Sequence, residues 1–463
     1  MPSSISSCVV FQGKPQLVTI NTIKTTGIPR YTIQGISTQQ QRSLTQKIKT
    51  AIRYQKISIP KQHISAEVSP QLHGIGAKNT KSLELALALS LLRLKHTIPI
   101  PHKALCLGSL SVEGEILPAP HHIALGLHAK NHGFTYILTS EGAAQQLATA
   151  TNLPCIGVHN LTQLLHTKIF RLRTYTPQSI TPPIQSPQAF YQFHNQPTAL
   201  RAITIALAGN HHTLVIGPPG NGKTLLAAVA NELQPQLSRT EYPQALKIHS
   251  LTHTHQKTVI PRPFIVPPHT ATHSQLFGSK QGRIGWLQQA HQGILFLDEL
   301  PFFSKPVLSS LLRPLEINQG ELLSIAAYNP CPCGFAGFPE KECTCSEGEK
   351  NRYTLKITKA FKERFQLQVM VAPVSSQTIT TTQPTQQHFE HLKKTIQRVR
   401  NDTTKLEITT TAQLLLNKAH DKLVLSIRQR EAITAVATTI AKIEESGMIT
   451  ADHIAEALQF RIQ

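Results

Sequence analysis

"TLVIGPPGNGKTLLAAVA", residues 213–230, joins a short run of strand-forming apolar residues to a run of helix formers through a loop made almost wholly of glycine and proline. Gly217, Pro218, Pro219, Gly220, Asn221, Gly222, Lys223 and Thr224 satisfy the G-x-x-x-x-G-K-T pattern in the strand-to-helix setting that it requires. There the glycines let backbone N–H groups close on phosphate oxygens, and the helix start adds a favourable dipole. Lys223 is expected at the β- and γ-phosphates of ATP, and Thr224 at a Mg2+ ion.

Outward from this loop, "GILFLDEL" (293–300) sets four apolar residues before adjacent carboxylates. This fits a buried parallel strand that delivers Asp298 and Glu299 to the carboxyl edge of a sheet. Asp298 is the candidate for the Mg2+ shell, and Glu299 for the base that orients and deprotonates the attacking water. The competing reading is a surface acidic pair. "LLSIAAYN" (322–329) is a third strand, and Asn329 at its tip is the candidate γ-phosphate sensor. Apolar strands alternating with helices over 190–374 read as a parallel α/β core.

Two arginines lie downstream. Arg364, in "ITKAFKERFQLQV" (357–369), falls where a helix ends before the next strand. It either reaches a neighbouring subunit's γ-phosphate or forms an ordinary salt bridge. Arg428, in "LSIRQREAI" (425–433) with Ser426 as a candidate helix cap, either reaches the nucleotide from a helical lid or forms an ordinary salt bridge.

The chain's 463 residues exceed what one hydrophobic core usually organises. Two polar breaks divide it: 171–189, rich in Pro, Ser, Thr and Gln, and 375–387. They imply a mixed α+β domain over 1–170, the α/β core over 190–374 and an all-helical unit over 388–463. Lys and Arg (46) exceed Asp and Glu (25), and the net charge of +21 favours a polyanionic partner, nucleic acid before membrane. The alternative is a charge spread as solvated surface. The apolar run "LELALALSLLRL" (83–94) contains Glu84 and is too short to span a bilayer. With no secretory pattern at the N-terminus, a cytoplasmic location is expected.

Four of the seven cysteines fall in "NPCPCGFAGFPEKECTC" (329–345). Cys331, Cys333, Cys343 and Cys345 give two close thiolate pairs suited to tetrahedral Zn2+, with reduced free thiols as the alternative. Because the cluster follows Asn329 directly, a zinc ion there is expected to clamp the loop leaving the ATP site. His269 and His273, in the 262–286 insertion, have no acidic or cysteine partner near them in sequence and are expected as surface or pore-facing histidines.

The order of "GPPGNGKT", "GILFLDELPFF", "NPCPCG", "KERFQL", "LSIRQREAI" and "EALQFR" resembles the ComM/YifB group of magnesium-chelatase-like AAA+ ATPases. "GIGAKNTKSLELALALSLL" and "CLGSLSVEGEILPAP" extend the resemblance to that family's Lon-protease-like N-terminal domain. The resemblance implies a multidomain α/β protein assembled as a homo-hexameric ring with ATP between subunits, Arg364 as arginine finger and Arg428 as lid sensor. It also implies branch migration of single-stranded or branched DNA in natural transformation. Three departures matter. Where Lon-like proteases carry a G-P-S-A-G serine and a lysine, this chain reads "GAKNTKSLELAL" with Ser82 and "LPAPHHIALGL" with Ile123, so no peptidase activity is expected. The stretch before the sensor strand is shorter than the family pattern, where a hairpin often enters the pore. Glu363 and Gln366 replace the aspartates that usually flank the arginine. The competing functions are a protein-remodelling or magnesium-chelatase-like ATPase that does not act on DNA, and a non-hydrolysing interaction protein. Intact Lys223, Asp298 and Glu299 argue against the last.

Overall fold

Residues 3–98, 100–101, 103–166, 172–177, 187–193, 196–238, 240–253, 259–279, 283–317, 320–338, 341–372 and 385–461 are described by the computed structural model. Most of the two stretches read as connectors, 171–189 and 375–387, lies outside these residues. Contacts divide the chain into two compact units, one of residues 1–182, 238–260 and 278–284, the other of 183–237, 261–277 and 285–463. The segment 238–260, inside the stretch read as the α/β core, thus clusters with the first unit.

In the first unit, strands β1 (Ser3–Phe11), β2 (Lys14–Thr25), β3 (Tyr31–Gln34), β4 (His63–Ser69), β5 (Ala104–Leu107), β8 (Tyr136–Ser140), β9 (Cys155–Val158) and β10 (Thr174–Tyr175) form one mixed sheet. The short pair β6 (Ser109–Leu110) and β7 (Ile116–Leu117) stands apart from it. The sheet order is β10-β9-β8-β5-β1-β2-β4-β3, with an antiparallel β1–β2 hairpin and parallel pairing from β1 through β9 on the other side. The helix Glu84–Leu92 is buried along its whole length, which is why its sequence is apolar on every face. Its one carboxylate, Glu84, is offset by Lys47 Nζ at 2.7 Å and by the Leu110 backbone N–H at 2.7 Å. Ser82 is buried and donates its hydroxyl proton to Asn79 O (2.8 Å), while Ile123 is buried in the helix His122–Asn131. Among the described residues no helix is long and apolar enough to cross a membrane.

In the second unit, β11 (Thr213–Ile216), β12 (Phe264–Ile265), β13 (Ile294–Leu297), β14 (Leu323–Tyr328) and β15 (Leu367–Met370) form a wholly parallel sheet in the order β12-β13-β14-β11-β15. Val215, Phe296, Ile325 and Ala327 share one core with the helices Pro197–Gly209, Lys223–Leu233 and Ile427–Ile443. Leu214, Leu295, Leu297 and Ala326 share another with the helix Lys305–Ile317 and with Phe361 and Phe365. Burial on both faces accounts for the unbroken apolar runs that lead into the three motifs. The C-terminal helices are tied to the core by Arg201, which meets Glu444 at 2.7 Å and Glu456 at 2.9 Å.

Candidate functional site

The strand order decides what meets at the carboxyl edge of the sheet. β14 lies between β11 and β13, so Asn329 emerges between the glycine-rich loop and the acidic pair. The loop ends at Gly222, whose φ of 79° lies in the left-handed region that glycine enters without strain. The helix Lys223–Leu233 starts there and leaves its first N–H groups free for an anion. Lys223 Nζ donates to Gly217 O (2.9 Å), Pro218 O (2.7 Å) and Asn329 Oδ1 (2.8 Å). Burial holds its ammonium below the usual lysine range, against the opposing pull of Asp298 and Glu299.

Thr224 Oγ1 donates to Asp298 Oδ2 (2.9 Å), and Asp298 Oδ1 accepts from the Glu299 backbone N–H (2.9 Å). One hydroxyl and one carboxylate are therefore already side by side, a hard-oxygen pair that fits Mg2+ beside a triphosphate. Glu299 has φ 52°, a left-handed conformation that costs a side-chain-bearing residue about 1–2 kcal/mol. Its carboxylate is 59% exposed, open to water. His269 Nδ1 lies 3.4 Å from Glu299 Oε2, which corrects the expectation that His269 has no acidic partner. Nothing in the 262–286 sequence pattern announces this contact, because it is made by an irregular loop that folds back on β13. The structure does not gather Arg364 and Arg428 with Lys223: both meet the carboxylate of Glu316.

Cys331, Cys333, Cys343 and Cys345 bring their sulfur atoms within 4.8 Å of one another. Cys331 Sγ is 3.3 Å from Cys333 Sγ and 3.6 Å from Cys343 Sγ, and no disulfide joins them. The Ala336 N–H donates to Cys331 Sγ (3.3 Å) and the Cys333 N–H to Cys345 Sγ (3.3 Å), contacts that favour thiolates. The four thiols do not shift together: a hydrogen bond from the Phe335 backbone leads the groups that lower Cys333, whereas burial and the neighbouring thiols raise Cys343 and Cys345 against their backbone hydrogen bonds. Four converging soft donors fit Zn2+.

This knuckle abuts the phosphate loop. Gly334 has φ 90°, and a Cβ there would lie 2.3 Å from Pro219 Cδ. Beyond Cys345, Ser346 and Glu349 form a capping box that starts the helix Glu347–Thr354. Tyr353 of that helix shares a buried cluster with Tyr328, the last residue of β14. The cluster is thus joined to the loop on one side and to the sensor strand on the other.

The parallel sheet, the loop and the acidic strand end together fit a core of the AAA+ type. Three family models match in succession: "Subunit ChlI of Mg-chelatase" over residues 20–142, "Magnesium chelatase, subunit ChlI" over 189–379, and "Magnesium chelatase, subunit ChlI C-terminal" over 371–461. The chain belongs to the ComM/YifB family of magnesium-chelatase-like proteins. An uncharacterized protein of Mycobacterium tuberculosis is 27% identical over 488 residues, covering 96% of each chain. The uncharacterized protein YifB of Escherichia coli is 31% identical over 296 residues, covering 56% of this chain and 58% of its own. The competence protein ComM of Haemophilus influenzae is 31% identical over 304 residues, covering 58% of each.

Proposed function

We propose that this protein is an ATP-hydrolysing motor that acts on single-stranded or branched DNA and drives branch migration of recombination intermediates during natural transformation. The observation that carries the ATPase reading is the convergence of Lys223 on Asn329 and of Thr224 on Asp298 at one sheet edge. Lys223 and Asn329 hold the γ-phosphate, while Thr224 and Asp298 hold Mg2+, which offsets phosphate charge when bound. Glu299 takes a proton from the attacking water, and His269 orients the Glu299 carboxylate. The four cysteines hold a structural Zn2+ that braces the loop and Asn329. The first unit serves as a non-peptidase domain, since Ser82 spends its proton on a backbone carbonyl and Lys47 is tied to Glu84.

The DNA reading is supported by the net charge of +21 and by the likeness to a competence protein. Assembly into a ring of identical subunits is supported by Arg364 and Arg428, which have no phosphate-binding group of their own chain beside them. The magnesium-chelatase family names favour a second reading, an ATPase that remodels a protein partner. ATP turnover measured with and without single-stranded and forked DNA separates the two. The motor predicts stimulation by DNA; turnover indifferent to DNA supports the second reading.

A further inference from the structure

One carboxylate holds both arginines. Arg364 Nη2 lies 3.3 Å from Glu316 Oε2, and Arg428 Nη2 lies 2.5 Å from Glu316 Oε1. Glu316 stands in the last turn of the helix Lys305–Ile317, where the helix dipole disfavours a negative side chain. Helix preference therefore does not explain it. The two guanidinium groups do, because without a carboxylate between them they would repel each other.

The location of this trio follows from its neighbours. The carbonyl of Leu315 accepts from His212 Nε2 (2.9 Å), and the His212 N–H donates to Gln366 Oε1 (2.8 Å). His212 immediately precedes β11, so Glu316 and the Arg364 segment lie at the start of the strand whose far end carries the phosphate loop. Roughly 10 Å of strand separates the two edges. The trio is thus set apart from the Lys223 pocket of its own chain. Arg364 is 13% exposed and also donates to Ala360 O (3.3 Å), whereas Glu316 and Arg428 are each 44% exposed. Arg364 Nε is buried and has no hydrogen-bond partner among the described residues.

We propose that Glu316 is a positioning residue that presents Arg364 and Arg428 as a pair to the triphosphate held by an adjacent copy of this chain. The proposal rests on the ATPase reading above. Glu316 cancels one of two adjacent positive charges and fixes their spacing, so both guanidinium groups face the same anion. The remaining positive charge, most open at the 44%-exposed Arg428, is what a γ-phosphate would engage.

The test compares steady-state ATP turnover, affinity for a fluorescent ATP analogue and melting temperature for wild type, Glu316→Gln, Glu316→Asp, Arg364→Ala and the double variant Glu316→Gln/Arg364→Ala. Glu316→Gln is expected to lower kcat about tenfold, because displaced catalytic groups cost rate rather than binding. Its analogue affinity and melting temperature should stay near wild type. Glu316→Asp should restore part of the rate, and the double variant should be no slower than Arg364→Ala alone. Wild-type turnover in Glu316→Gln, a loss that adds in full to that of Arg364→Ala, or a parallel fall in melting temperature and affinity overturns the proposal. If wild type itself does not hydrolyse ATP, the reading of the site falls and this assignment falls with it. An active wild type with an indifferent Glu316→Gln overturns only the role of Glu316.

Discussion

Lys223 and Glu299 divide binding from chemistry, and substitution should separate them. Lys223→Ala removes the ammonium that bridges the loop carbonyls and Asn329, so nucleotide binding itself should fail in a fluorescence titration. Glu299→Gln keeps the shape of the site and loses the base. It should bind ATP normally yet hydrolyse it about 10²–10³ times more slowly in a phosphate-release assay. His269→Ala should cost at most about fivefold in kcat, because an exposed pair is worth about 0–1 kcal/mol. Unchanged kcat in that variant would show that the 3.4 Å contact is idle. Lys223, Thr224, Asp298, Glu299 and Asn329 were legible in the sequence because each sits at the end of an apolar strand or the start of a helix. His269 and Glu316 were not, since their partners are far away along the chain and lie on loops or helix ends that no periodicity marks.

The cysteine knuckle and the His211–His212 pair just before β11 carry the predictions for elements. Because Gly334 lies against Pro219, disturbing the cysteine cluster should reach the phosphate loop. If the cluster holds zinc as proposed, treatment with a zinc chelator, or Cys343→Ser, should lower the melting temperature and slow hydrolysis while nucleotide binding persists. Gly334→Ala should do the same with all cysteines intact, since a left-handed alanine costs about 1–2 kcal/mol before any clash with Pro219. Full activity and stability after chelation would detach the cluster from the site. At the other edge, burial pushes both His211 and His212 down to about 4. His212 Nδ1 accepts from the Ser324 N–H (3.0 Å), a bond that protonation would destroy. As pH falls below about 6.5, the unfolded chain takes up protons that the folded one refuses, so stability should decline from there toward about 4. Thermal melts between pH 7.5 and 4.5 should show this slope, and the His211→Gln/His212→Gln variant should flatten it. The cysteine spacing disclosed the cluster itself. Its contact with Pro219 was hidden, because it is set by the path of a turn and not by residue type.

For the whole molecule, the parallel core was legible because burial on both faces of a sheet leaves continuous apolar strands such as Ile294–Leu297. The grouping of residues 238–260 with the first unit was not, since the helix Tyr242–Thr252 carries no signal for which core it joins. With Arg364 and Arg428 held on Glu316 and set apart from Lys223 of their own chain, the proposed mechanism makes hydrolysis a property of assembled copies. In the proposed reading, the net charge of +21 favours gathering of such copies on a polyanion. ATP turnover should accordingly rise more than linearly with protein concentration and fall with added salt in the presence of DNA. The most direct measurement is branch migration on a three-strand DNA intermediate with ATP and Mg2+, comparing wild type with Lys223→Ala. Strand exchange by wild type that is lost in Lys223→Ala is the predicted result; no ATP-dependent exchange by wild type, or equal exchange by both, would contradict the account.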